Sequence, residues 1–212
     1  PVAIDFLKQQ MQTVARDIHI DAVKIGMLGT PEVTEAVAAF VAGLDCPLVI
    51  DPVMVAKSGD RLLHADAIAS LRDVLIPKAT LITPNLPEAA DLLGLAEADD
   101  REAMQVQASA LLQLGSRAVL LKGGHLSTED SPDLLVFDHQ STWFDNERIQ
   151  TANTHGTGCT LSSALASYLG QGFSIPDAVL AAKTYISGAI AASDQLNVGH
   201  GHGPVHHFWD LW

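Results

Sequence analysis

Short apolar runs bounded by glycine or proline, alternating with segments of helical period, constrain this chain more than any other feature. The most apolar stretches, Ala22–Gly29, Pro47–Val55 and Ala118–Leu121, are too short to span a bilayer and read as buried strands. Between them lie helical patterns. Ala3–Asp17 and Glu32–Gly43 come first, the second with Thr30 as cap and Pro31 in its first turn. His64–Ile76, Leu86–Gly94 and Asp99–Gly115 follow. The predicted strands are Ala22–Gly26, Leu48–Asp51, Thr80–Thr83 and Ala118–Lys122. Continuous apolar strands alternating with helices predict an α/β fold, a mostly parallel central sheet with helices on both faces. Beyond Lys122 the pattern changes. Asp133–His139 and Ser141–Gln150 read as an antiparallel pair turning near Asp138–Ser141, and Gly156–Leu169 and Pro176–Asp194 as Ala/Ser-rich helices. With no repeat and no linker, residues 1–212 are expected to form one domain.

Charge narrows the function classes. With 25 acidic against 12 basic residues the net charge is −13, which argues against a nucleic-acid partner or an anionic membrane surface. A local positive pocket for a phosphate substrate remains compatible with it. The two cysteines, Cys46 and Cys159, have no metal-ligand spacing and fit a reducing, cytoplasmic setting. The opening Pro-Val-Ala-Ile-Asp-Phe has neither a basic n-region nor a Met, so the numbering is expected to begin inside a longer protein.

In open α/β sheets ligands bind beyond the carboxyl ends of the strands. Ile50 leads into Asp51-Pro52-Val53-Met54, Ile82 into Thr83-Pro84-Asn85, and Leu121 into Lys122-Gly123-Gly124-His125, which places the expected site on that edge. The strongest motif is Asn153-Thr154-His155-Gly156-Thr157-Gly158-Cys159-Thr160, which runs into a helix. Glycines on both sides of Thr157 let the backbone turn its amides inward, and a helix N-terminus adds free donors and partial positive charge. Such a loop suits an anion, including a transferring phosphoryl group; an ordinary Gly-rich cap would read the same way. The Walker pattern G-x-x-x-x-G-K-[ST] does not occur. Cys159, in the first turn, is placed as a general base or a covalent nucleophile, or as a small buried apolar residue. Asn85 and Glu88, three apart at a helix start, can offer oxygens to Mg²⁺ directly or through water, or close a capping box. Lys122 can present an ammonium to phosphates. The tail Gly199–Phe208 is rich in histidine, but Gly and Pro leave its imidazoles without a fixed geometry for metal.

Taken together, Lys24-Ile25-Gly26-Met27-Leu28-Gly29, the D-P-V-M-V-A-K-S-G segment from Asp51, N-x-x-E at Asn85, L-L-K-G-G-H at Leu120, G-T-G-C at Gly156 and the closing G-H-G-P-V-H-H-F resemble the hydroxymethylpyrimidine/phosphomethylpyrimidine kinases. The motifs run in the expected order from Asp21 to Phe208. The resemblance implies a ribokinase-like fold, a homodimer, and a cytoplasmic enzyme of thiamine biosynthesis. Such an enzyme uses ATP and Mg²⁺ to phosphorylate 4-amino-5-hydroxymethyl-2-methylpyrimidine and then its monophosphate. It also implies roles for single residues. Gly156, Thr157 and Gly158 form an anion hole, and Cys159 stands where relatives such as ribokinase carry an Asp base. Glu88 with Asn85 organises Mg²⁺, Lys122 faces the nucleotide phosphates, Lys183 lies on the helix flanking adenine, and Met27 and Val53 contact the pyrimidine with Cys159. The family's opening strand and its G-S-D-x-x-G-G-A-G-like segment have no counterpart here. An acceptor pocket lacking one part and an exposed central sheet edge are therefore expected, with residues that exist in the molecule but stand outside this sequence as the favoured explanation. A pyridoxine/pyridoxal kinase, a catalytically silent relative, and a Cys159/His155 hydrolase are the rival readings.

Overall fold

The computed structural model describes residues 2–54, 63–128 and 130–211. The stretch Val55-Ala56-Lys57-Ser58-Gly59 of the D-P-V-M motif lies outside the described residues. The chain runs α1 (Ile4–Asp17), β1 (Val23–Ile25), α2 (Pro31–Val41), β2 (Leu48–Ile50), α3 (Ala65–Ser70), β3 (Leu81–Ile82), α4 (Leu86–Leu93), α5 (Arg101–Leu112), β4 (Ala118–Lys122), β5 (Asp133–Phe137), β6 (Gln140–Phe144), α6 (Thr157–Gly170) and α7 (Ile175–Ala191).

The six strands lie side by side in chain order. β1 to β4 are parallel, and β4, β5 and β6 pair antiparallel. The β5–β6 turn is made by Asp138 and His139, both at positive φ, the two-residue hairpin geometry that suits the strands' twist. Although β2 to β5 are mostly apolar, alternation still sorts their side chains. Ile50, Ile82, Leu121 and Leu134 face a core shared with α2 to α5. Val49, Leu81, Leu120 and Leu135 face a second core made with α6 and α7. Helices thus cover both faces, as the sequence pattern requires.

Local chemistry sets the element ends. Thr30 accepts from Val33 N and Pro31 opens α2; Asp100 and Ser174 cap α5 and α7 in the same way. The helix expected over His64–Ile76 is uneven. α3 ends at Ser70, a π turn covers Leu71–Leu75, and a 3₁₀ turn covers Ile76–Lys78 around Pro77, whose ring prevents a regular α continuation. β6 also stops earlier than expected, at Phe144. Asn146 O then accepts from Ser131 N, and the Arg148 guanidinium donates to the carbonyls of Gly124, Leu126 and Asp130. Among the described residues, no helix is long and apolar enough to cross a membrane.

The strand registers align Ile25 with Ile50 and Ile50 with Ile82. Gly26, Asp51 and Thr83 therefore leave the sheet at one level, and Lys122 meets them through a bridge to Asn85. The candidate site residues gather there.

Candidate active site

Asp51 is the hub of this edge. It directly follows β2, is 2% exposed, and has both carboxylate oxygens occupied. Oδ1 accepts from Thr83 Oγ1 at 3.1 Å and Lys122 Nζ at 2.9 Å. Oδ2 accepts from Ser162 Oγ at 3.3 Å. One carboxylate so ties together the ends of β2, β3 and β4 and the first turns of α6. A buried charge needs such partners.

Lys122, the last residue of β4, is held from two sides. Asp51 takes its ammonium, and Glu88 Oε2 lies 3.9 Å away. Burial works against its charge, but the carboxylates of Asp51 and Glu88 outweigh that effect and raise its pKa. The ammonium therefore stays charged, and 14% of the side chain's surface is open. Glu88 behaves oppositely. Desolvation lifts its pKa to about 7, against the opposing pull of Lys122 and of its bond from Asn85 N. Asn85 Oδ1 accepts from Glu88 N at 2.8 Å while Glu88 Oε2 accepts from Asn85 N at 2.8 Å, so the capping box is closed.

The glycine loop faces this cluster. Gly156, the residue preceding α6, has φ +84°, a left-handed conformation that a side chain strains. Among the described residues no side chain caps the helix. Thr157 N turns to Thr154 O at 3.4 Å, which leaves the next amides, of Gly158 and Cys159, to serve an anion. Thr157 Oγ1 donates to Thr154 O at 2.8 Å, which turns the loop back on itself. A methyl group at Gly158 would stand 3.4 Å from Lys122 Nζ and 3.8 Å from Asp51 Oδ2. Gly158 is thus where the loop amides, a lysine and the strand ends converge. Phosphate oxygens suit these donors. The Glu88 carboxylate suits a divalent cation, and the capping box leaves it best able to act through water.

Cys159 is exposed, not packed as a small core residue. It opens onto a cleft of about 590 Å³ bordered by Gly156, Thr160, Tyr168, Tyr185 and His207. Met27 is 52% exposed in the β1–α2 connection, and Val53 is half-buried after β2. Lys183 is 7% exposed. Its ammonium donates to Asp133 Oδ2 at 2.7 Å, and Asp133 Oδ1 accepts from Gly123 N at 3.0 Å. It therefore reaches the end of β4 through Asp133. The sequence places Asp51 and Thr83 on this edge only as members of strand-end segments, without a role, and gives Ser162 no signal. An Asp ending a buried strand is the one local signal for the hub.

Residues 1–206 match the family described as phosphomethylpyrimidine kinase. The hydroxymethylpyrimidine/phosphomethylpyrimidine kinase of Escherichia coli (strain K12) is 48% identical, with 98% of this chain and 79% of that protein covered. The thiamine biosynthesis bifunctional protein ThiED of Geobacter sulfurreducens is 46% identical over 95% of this chain and 41% of its own length. Among solved structures, Bacillus subtilis pyridoxal kinase in an ADP complex superposes with a TM-score of 0.90. It is 35% identical, with 98% of this chain and 78% of that one covered. That neighbour fixes the fold as ribokinase-like, and the sequence relatives fix the branch: the chain belongs to the phosphomethylpyrimidine kinase family.

Proposed function

We propose that this protein transfers the γ-phosphoryl group of ATP to 4-amino-5-hydroxymethyl-2-methylpyrimidine, and then a second phosphoryl group to the monophosphate, in thiamine biosynthesis. The observation that carries the reading is the convergence of Gly158 and Lys122, with a methyl at 158 reaching within 3.4 Å of Nζ. Phosphoryl transfer asks a protein mainly for positioning and charge stabilisation, and this loop and lysine offer both. The amides of Gly158 and Cys159 receive the equatorial oxygens, while Asp51 aims Lys122 at the same point. Bound Mg²⁺ would neutralise phosphate charge, with Glu88 and Asn85 holding its water shell. Cys159, exposed at the loop, takes the acceptor's hydroxyl proton or merely borders the acceptor, with Met27 and Val53 as further pyrimidine contacts. The two unpaired thiols support a cytoplasmic setting.

A pyridoxal kinase is the second reading, favoured by the fold match to the Bacillus subtilis enzyme. The 48% identity to a pyrimidine kinase outweighs the 35% identity to that one. ADP release in the presence of each acceptor decides between them. The pyrimidine alcohol and its monophosphate should both drive release, with pyridoxal slower. Release with pyridoxal alone would replace the reading, and no release with any acceptor would mark a catalytically silent relative.

A further inference from the structure

The histidine-rich tail, which the phosphoryl-transfer reading leaves without a task, lies against the lead-in to the glycine loop. His155, which directly precedes Gly156, pairs with Pro204 as in a parallel sheet. His155 N donates to Gly203 O at 3.0 Å, and Val205 N donates to His155 O at 3.3 Å. Two residues earlier, Asn153 Oδ1 accepts from Gly203 N at 3.0 Å. The other end of that amide, Asn153 Nδ2, donates to Asp194 Oδ1 at 2.9 Å, and Thr151 Oγ1 donates to the same oxygen at 2.6 Å. A side chain at 203 would collide with Asn153 Oδ1. A larger residue at 203 would therefore have to push the Asn153 side chain out of its place.

The tail itself is anchored. Val205 and His206 are 1% and 3% exposed, and His206 N donates to Ala189 O of α7 at 2.8 Å. The Trp209 ring covers Gly188, where any Cβ would strike it. The path from α7 through the tail to His155 is thus continuous packing and hydrogen bonding, and it ends one residue before the left-handed Gly156.

From this we infer that the segment Gly203–Val205 is a strap that fixes the approach angle of the anion loop, and that Asn153 is its positioning residue. The role rests on the phosphoryl-transfer reading, because it concerns the loop that would hold the transferring group. A strap of this kind acts on the transition state more than on binding. A loop displaced by a fraction of an ångström still meets ATP, but it aims its amides poorly at the charge that develops.

The test exploits the polarity of the Asn153 amide. Asn153→Asp keeps an acceptor for Gly203 N but sets a carboxylate against Asp194. Adding Asp194→Asn returns a donor to that contact, and the second N–H of the new amide can be accepted by the Thr151 hydroxyl. Two readouts are taken together: steady-state kinetics with ATP and the pyrimidine alcohol, and amide hydrogen exchange over residues 153–160 by mass spectrometry. For Asn153→Asp we expect kcat to fall about tenfold or more, the ATP KM to stay within about twofold, and loop exchange to quicken. The swapped pair should restore both the rate and the protection. Normal kcat and exchange in Asn153→Asp would overturn the strap, as would a lost rate with unchanged exchange. Where Asn153→Asp does not fold, the swapped pair decides alone: folded, protected and active supports the strap, and folded with a loose loop overturns it. A wild-type protein that phosphorylates no pyrimidine overturns the proposed function instead, and exchange still reads the strap.

Discussion

Gly158 is the residue at which fold and chemistry make separate demands. A methyl there meets Lys122 Nζ at 3.4 Å and Asp51 Oδ2 at 3.8 Å, close to ordinary contact, so the fold should accept alanine. On the proposed function the crowding falls on the phosphoryl group instead. Gly158→Ala should keep the melting temperature and lower kcat on the order of a hundredfold; near-normal kcat with only weakened ATP binding would remove the loop from the mechanism. Cys159 poses a subtler question, because the two acceptors differ. The alcohol must lose a proton, whereas the monophosphate is already ionised. A carboxylate about 4 Å from a dianion costs on the order of several kcal/mol at a dielectric near 20; a neutral thiol avoids that repulsion. Cys159→Asp should therefore retain alcohol phosphorylation and lose the monophosphate step, and Cys159→Ser should slow the first step more than the second. Equal losses at both steps in Cys159→Asp would contradict this. The sequence displayed the glycines and the cysteine because their spacing is local. It concealed the hub, since the partners of Asp51 lie 32, 71 and 111 residues away, beyond any periodic pattern.

At the scale of elements, α4 and α7 each carry a buried charge whose role can be measured. Glu88 has its pKa raised to about 7 by desolvation, above its ordinary value. Its protonated form is the one the fold favours. In the absence of Mg²⁺ this contribution is fully present below about pH 4.5 and is lost as pH rises through about 7, in total roughly 3 kcal/mol. Glu88→Gln keeps an oxygen for Asn85 N, so denaturant unfolding without metal should show it flatter across that window and more stable than wild type at pH 8. Its Mg²⁺ requirement for turnover should rise. A variant with wild-type pH dependence would show that Glu88 does not titrate there. On α7, Lys183→Ala strands Asp133, which is 4% exposed, and should cost about 3 kcal/mol of stability. A large rise in the ATP KM without that loss would instead support a nucleotide contact for Lys183. The elements themselves were largely legible, because caps such as Thr30 and a period of two or 3.6 are local signals. The lapses have local causes also: Pro77 breaks the third helix, and Arg148 gathers loop carbonyls where β6 was expected to continue.

At the scale of the whole molecule, the sheet brings the ends of β2 and β3 to one level, runs β4 further so that Lys122 reaches back to them, and lays the uncapped start of α6 across them. This arrangement turns separate motifs into one site, and the central claim is that this one site adds two phosphoryl groups in turn. Phosphorus NMR of a single reaction containing the protein, MgATP and 4-amino-5-hydroxymethyl-2-methylpyrimidine tests it directly. A monoester resonance should appear first and then give way to the coupled pair of a diphosphate ester. A monoester that accumulates without conversion, or ATP that persists unchanged, would contradict it.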